Sequence, residues 1–207
     1  MEDAWLSRAK RLHAIASTGV HFTESDFDRE RYAEIAEIAT QMLADLGNRP
    51  IEQLQDLFPE FGRSYATPMV DVRAAILRGD RILLVKEKFD GLWTLPGGYA
   101  DVGLSAGKNA VKEVREESGL DVTVNRLIGV FHKAKHAYRQ DPRDFYKFYF
   151  LCEESSGQEP AIGPETTDVD FFTLPSLPPL SLGRSIKQHI ELAFEFRDNP
   201  EQPVVFD

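Results

Sequence analysis

The sequence predicts an α/β (α+β) chain, with a small helical region ahead of a larger part in which strands and helices intermingle. Three observations carry this. Up to about residue 58, apolar side chains recur at helical spacing. After residue 68 several stretches alternate apolar and polar, the period of a strand. Between them lies 59–68, with Pro59 and Pro68 at its ends and Gly62 inside, the composition of a linker. The expected division is therefore 1–58, 59–68 and 69–207.

In the helical region Trp5, Ala9, Leu12 and Ile15/Ala16 share one face, and Gly19 is expected to end that helix. Ser25 or Asp26 caps a second helix, whose apolar stripe is Ile35, Ile38, Met42 and Leu46, widened by Ala39 and Leu43. A short third helix is expected over 51–58. A module this small is barely stable alone, so its stripes must pack on each other, on the rest of the chain or on a second copy.

Beyond the linker, Val70, Val72, Ala74 and Ile76 alternate, predicting a strand over 69–77. Arg78-Gly79-Asp80 makes a turn into a second strand at 81–86. Trp93-Thr94-Leu95 is a third, stopped by Pro96-Gly97-Gly98. A helix follows at about 105–118, ended by Gly119. Further strands are expected at 121–132, 145–153 and 168–173, and a last helix at about 184–197, with Ile186, Ile190, Ala193 and Phe194 inward.

Composition narrows the function classes. The 207 residues hold Lys+Arg 24 against Asp+Glu 34, a net charge of -10, which argues against a broad DNA-binding surface because phosphate backbones need clustered positive charge. The single cysteine, Cys152, excludes an intrachain disulfide and any multi-cysteine zinc site. Inside an apolar strand it reads as a small buried hydrophobe. No apolar run approaches the roughly 18 residues of a membrane helix. The N-terminus is acidic and lacks the apolar segment of a secretory signal, so a cytoplasmic location is expected.

The stretch 97–120 is the most informative. On a helical wheel Glu113, Glu116 and Glu117 fall within about 100° of one another. Ala110, Val111 and Val114 fill the adjoining arc, while Lys108 and Arg115 lie opposite. Like charges at this spacing oppose the helix, and partial burial would raise their pKa values. A hard divalent cation relieves both penalties: Mg²⁺ or Mn²⁺ takes oxygen ligands, keeps several waters and bridges carboxylates to substrate phosphates. A bare ExxEE is ordinarily a solvated acidic face, here partly neutralised by Lys112, so the flanking pattern decides.

That pattern closely resembles the Nudix box, G-x5-E-x7-R-E-U-x-E-E-x-G-U, where U is a bulky aliphatic. Gly98 is its first glycine, Glu113 follows the basic position, Val114 is U, Glu116-Glu117 is the acidic pair, and Gly119-Leu120 closes it. Two positions depart: Leu104 stands where the family has its first glutamate, and Lys112 where it has arginine. The segments Trp93-Thr-Leu-Pro-Gly-Gly98, Tyr65-Ala-Thr-Pro-Met-Val-Asp-Val-Arg73 and Glu165-Thr…Phe171-Phe172 extend the resemblance to the Nudix subfamily that carries an N-terminal helical region. The resemblance implies an α/β/α sandwich with a mixed sheet, the box forming loop, helix and loop. It implies hydrolysis of a nucleoside diphosphate linked to X, of the ADP-ribose or CDP-choline kind, with Mg²⁺ or Mn²⁺ as cofactor. The partner is then a small nucleoside diphosphate derivative, and the assembly a homodimer.

Site residues follow from the same positions. Glu113, Glu116 and Glu117, with the Gly97 carbonyl, are the expected metal ligands. Glu165 is either a further acidic ligand or base, or an ordinary loop glutamate. Arg73, a cation in mid-strand, is either a phosphate contact or an edge residue. Lys133, in a basic cluster with His132, Lys135 and His136, either receives phosphates or is solvated. Trp93 either stacks a base or packs in the core. Three functions stay open: the hydrolase, a nucleotide sensor that hydrolyses little (the reading Leu104 motivates), and action on nucleoside triphosphates or RNA 5′ ends.

Overall fold

The computed structural model describes residues 2–47, 51, 56–155 and 157–207. The chain forms two compact units, Met1–Met69 with Arg139–Phe145, and Val70–Tyr138 with Tyr146–Asp207.

The first unit is built on α1 (Ala4–Phe22) and α2 (Asp26–Gly47). The Asp3 carboxylate caps α1, accepting from the Trp5 and Leu6 amides at 2.8 and 3.2 Å. Ser25 caps α2, its Oγ accepting from Asp28 N at 3.3 Å. Gly19 does not end α1, which continues to Phe22. A Cβ at position 19 would lie 2.6 Å from the Tyr32 ring, so this glycine lets the two helices approach closely. The buried faces are made of small residues: Ala9 and Ala16 on α1, Ala36, Ala39 and Ala44 beside Leu43 on α2. Most of the larger apolar residues expected inside are instead open on this chain, with Trp5 59%, Ile15 43%, Ile38 50% and Leu46 42% exposed. A wheel locates an apolar arc, but backbone proximity selects its alanine edge. The expected linker is tied down, since Ser17 Oγ accepts from Gly62 N at 2.9 Å and Thr18 Oγ1 from Ala66 N at 3.3 Å. The helix expected over 51–58 lies largely outside the described residues.

The second unit is a mixed sheet with a helix on each face. Its strands are β1 (Met69–Arg78), β2 (Arg81–Glu87), β3 (Trp93–Thr94), β4 (Val122–His132), β5 (Phe145–Glu154), β6 (Thr166–Thr173) and β7 (Val205–Phe206). Their order is β3-β2-β1-β5-β4-β7, with β6 also paired to β2. The β1–β2 hairpin turns on Gly79, at φ 59°, and Asp80. β7, parallel to β4 and only two residues long, has no periodic signature in the sequence. The helices are α3 (Ala106–Ser118) and α4 (Lys187–Asp198). Central β1 is buried on both faces. Val72, Ala74 and Ile76 pack with Ala110 and Val114 of α3. Ala75, on the opposite face, packs with Ile190, Ala193 and Phe194 of α4. The last helix starts three residues later than its periodicity predicts because Ser185 is held in a turn, its Oγ 2.8 Å from Thr94 Oγ1 and accepting from Leu95 N at 3.1 Å. Among the described residues no helix is long and apolar enough to cross a membrane.

Candidate active site

The site begins with how the loop before α3 is held. Val72 N donates to Gly98 O, and Ala74 N to Pro96 O, both at 2.9 Å, so 96–100 runs as an extra strand segment along β1. Gly97 has φ 143°, and a Cβ there would lie 2.0 Å from Val72 O. Only glycine fits that contact. Asn109, fully buried, accepts from Asp101 N at 2.9 Å and donates to Asp101 O and Ser105 O at 3.3 Å, which shapes the loop 101–105. Ser105 caps α3, and Gly119, at φ 69°, ends it. Leu104, in the position of the family's first glutamate, is 42% exposed.

This brings Glu117 and Glu113 to the Gly97-Gly98 loop, while Glu116 points away from it to Lys112. Glu117 is 4% exposed, and its Oε2 accepts from Gly97 N at 2.9 Å. Burial pushes its carboxyl up to about 8; Arg73 and the Gly97 amide oppose the rise, and the charges of Glu87 and Glu113 add to it. Glu113 is half-buried, with its carboxylate oxygens under Gly98. Burial raises it too, Lys112 and Arg73 pull it back, and Glu116 and Glu165 reinforce the rise. Glu116 is exposed and turned to Lys112, 2.9 Å away; Lys112 also reaches Asp101 at 3.2 Å.

The loop before β6 carries Glu165 into the field of Glu113. Gly163 makes this possible, because a Cβ there would lie 1.9 Å from Glu116 O. Thr166 Oγ1 donates to Glu117 O at 3.0 Å and receives Gly163 N at 2.9 Å. These anchors involve single residues with no pattern of their own, so periodicity does not reveal them.

Arg73 lies inside the unit, 2% exposed, and each of its guanidinium nitrogens is hydrogen-bonded. Nε and Nη2 grip Asp71 at 3.0 and 2.7 Å, while Nη1 reaches Leu95 O at 3.2 Å and Thr94 Oγ1 at 3.4 Å. Lys147, 1% exposed, donates to Asp71 Oδ1 at 2.6 Å. Burial would raise Asp71, but the two cations outweigh it and hold the carboxyl at about 2. Lys147 occupies an inward position of Phe-Tyr-Lys-Phe-Tyr, and a lysine in that register was the available signal. Lys133 is buried in the turn after β4 and its charge acts on Lys147. Trp93 packs edge-on against Phe172, ring centroids 4.7 Å apart, in the α4-side core. His136 pairs with Asp207 at 2.9 Å. Cys152 is 4% exposed, and burial pushes its thiol up to about 12.

Sequence reading missed Glu87 and Arg184. Glu87 ends β2, is 4% exposed and forms an ion pair with Arg184. Burial raises its carboxyl against the pull of Arg184 and Arg73.

Among the described residues no three His, Cys, Asp or Glu side chains converge as a ready metal-binding group. The donor chemistry nevertheless fits a hard divalent ion. The carboxylates of Glu113 and Glu117 are oxygen donors whose negative charge is disfavoured by burial and by each other, the penalty a cation removes.

Comparison with known proteins identifies the family. Residues 3–58 match a family described as a UDP-X-like, N-terminal oligomerisation domain, and residues 67–193 match the NUDIX domain. YjhB of Bacillus subtilis (strain 168), provisionally named an ADP-ribose pyrophosphatase, is 40% identical over 207 residues, covering 100% of this chain and 99% of its own. A crystal structure of an ADP-ribose pyrophosphatase from Streptococcus suis 89-1591 is 42% identical, with a TM-score of 0.62 over 68% of this chain and 100% of that one. A UDP-X diphosphatase is 33% identical, with a TM-score of 0.63 over 98% of each chain. With a NUDIX domain matched over more than half its length, and the box glutamates carried on α3 behind a loop that only glycine can close, the chain belongs to the Nudix hydrolases.

Proposed function

We propose that this Nudix hydrolase cleaves the pyrophosphate bond of a nucleoside diphosphate linked to X, of the ADP-ribose or CDP-choline kind, giving a nucleoside monophosphate and X-phosphate. The observation that carries the reading is the charge-strained pair Glu113 and Glu117 beside the clamped Gly97 loop. The names of the full-length relatives support the substrate class.

Glu113, Glu116 and Glu117, with the Gly97 carbonyl, would hold Mg²⁺ or Mn²⁺. When bound, such an ion lowers the pKa of water and offsets charge on the phosphates. The chain's own residues do the rest. The Gly97 amide fixes one oxygen of Glu117 and leaves the other for a ligand. Lys112 neutralises Glu116, and for Glu116 to join the metal ligands this ion pair would have to open. Glu165, beside Glu113, accepts the proton of the attacking water or adds a further ligand. Arg73 supports Glu117 electrostatically from beneath and steadies the Leu95 carbonyl before the loop. Lys133 remains a candidate for substrate contact, whereas Trp93 packs against Phe172 in the core.

The helical unit pairs two chains. Its support is the open apolar set Trp5, Ile15, Ile38 and Leu46, together with the oligomerisation family that this region matches.

The test is release of nucleoside monophosphate from ADP-ribose, CDP-choline, UDP-sugars, dinucleotides and nucleoside triphosphates, with Mg²⁺ and with Mn²⁺. Turnover is expected on a nucleoside diphosphate derivative and not without metal. Cleavage of triphosphates alone would replace the substrate class. The sensor reading rests on Leu104 in place of a glutamate, and robust turnover of any substrate ends it.

A further inference from the structure

Arg73, the cation expected to meet phosphate, has its guanidinium committed to Asp71, Thr94 and Leu95. The site therefore needs another anion receptor, and the turn before α4 supplies one. Among the described residues the Arg184 side chain makes a single hydrogen bond, from Nη1 to Glu87 Oε1, and it is 35% exposed. Its guanidinium keeps further N–H donors for a ligand.

The mount is rigid. Ser181 N donates to Trp93 O at 2.8 Å, and Ser181 Oγ to Asp90 Oδ2 at 2.7 Å. Arg184 N donates to Ser181 O at 2.8 Å, and Ser185 is bonded to Thr94 and Leu95. The partner is rigid as well: Glu87 sits at the end of β2 with its carboxylate buried. Glu87 pairs with Thr166 across β2 and β6, and Thr166 Oγ1 donates to Glu117 O at 3.0 Å, so Arg184 is joined through Glu87 to the strand register that abuts Glu117.

The geometry points to Arg184 as a substrate-binding residue that receives a phosphate of the substrate, with Glu87 as the positioning residue that aims it. A buried carboxylate gripping one edge of a guanidinium leaves another edge for bidentate phosphate binding. The inference rests on the reading of this site as one for a nucleoside diphosphate.

The experiment compares Arg184→Ala, Arg184→Lys, Glu87→Gln and the double variant Arg184→Ala/Glu87→Gln. It measures KM and kcat on the best substrate, and ADP and inorganic pyrophosphate binding by calorimetry with Mg²⁺ present. Arg184→Ala is expected to raise KM and weaken binding of both probes by roughly 10- to 100-fold, with kcat changed by about threefold or less. Arg184→Lys recovers part of the loss. Glu87→Gln weakens binding less, and adding it to Arg184→Ala costs little more, because the two act as one unit. Unchanged KM and probe binding in Arg184→Ala, or no probe binding by the wild-type chain, overturns the inference. A chain that turns over no nucleoside diphosphate yet binds pyrophosphate through Arg184 leaves this inference standing and removes the proposed function. Robust turnover that is indifferent to Arg184 does the reverse.

Discussion

Replacing Gly97 with alanine strikes the contact on which the site depends. The added Cβ would lie 2.0 Å from Val72 O and 2.9 Å from Arg73 Cα, at a φ of 143°. Holding alanine in that backbone region costs about 1–3 kcal/mol. Relieving the overlap means lifting the loop from β1, which strains the two 2.9 Å bonds on either side of Gly97, Val72 N to Gly98 O and Ala74 N to Pro96 O. Those are worth about 1 kcal/mol each, and the bond from Gly97 N to the Glu117 carboxylate adds about 1.5–3 kcal/mol when that group is charged. Not all are lost together, so the expected destabilisation is about 3–6 kcal/mol, a large share of the 5–15 kcal/mol of an ordinary domain. Turnover should fall by roughly 10²-fold or more, since Glu117 loses the donor that orients it. Urea unfolding gives the first quantity and steady-state kinetics the second. Gly79→Ala is the control: its φ is 59° with nothing within 4 Å of the added Cβ, so it pays the backbone cost alone, about 1–2 kcal/mol, with turnover intact. If Gly97→Ala is no less stable and no less active than Gly79→Ala, close packing on Val72 is not what the loop requires.

Three further outcomes are expected. Glu116→Gln and Glu117→Gln should each lower kcat by about 10²-fold or more while far-UV circular dichroism is unchanged, and metal-dependent turnover preserved in both variants refutes their ligand role. His189 is 1% exposed, and burial, with His136 and Lys147 nearby, lowers it to about 3 from 6.5. The unfolded chain takes up that proton below about pH 6.5 and the folded chain does not, so stability is retained above that pH and falls toward pH 3 by up to about 5 kcal/mol. Urea unfolding between pH 7 and 4 measures the slope, which His189→Asn should flatten; an equal slope in the variant rejects the assignment. If the helical unit pairs two chains as proposed, Ile15→Asp with Ile38→Asp should convert the dimer to a folded monomer by sedimentation, because both side chains are open on the single chain. A dimer that survives both changes places the interface elsewhere.

The site and the fold were legible to different depths. The carboxylate helix could be read because a helix is local: Glu113, Glu116 and Glu117 share a face by spacing alone, and Ser105 and Gly119 mark its ends. Arg73 stood out as a charge in an apolar strand, but its partner Lys147 is 74 positions further along the chain, and only pairing of β1 with β5 brings them to one carboxylate. Glu165 stayed ambiguous for the same reason, since a loop glutamate gains meaning only from what it faces.

The sequence by itself determined the four α-helices of the described residues, most of the strands and the three carboxylates carried on α3, because periodicity and capping act over a few residues. Tertiary structure decided which apolar faces close, how Gly97 and Gly163 lock the loops to β1 and α3, and that Arg73 is held inside while Arg184 is held open. Each of those depends on two backbones or two charges meeting across long stretches of chain. Such a meeting is set by packing the whole sheet and leaves no local pattern to read.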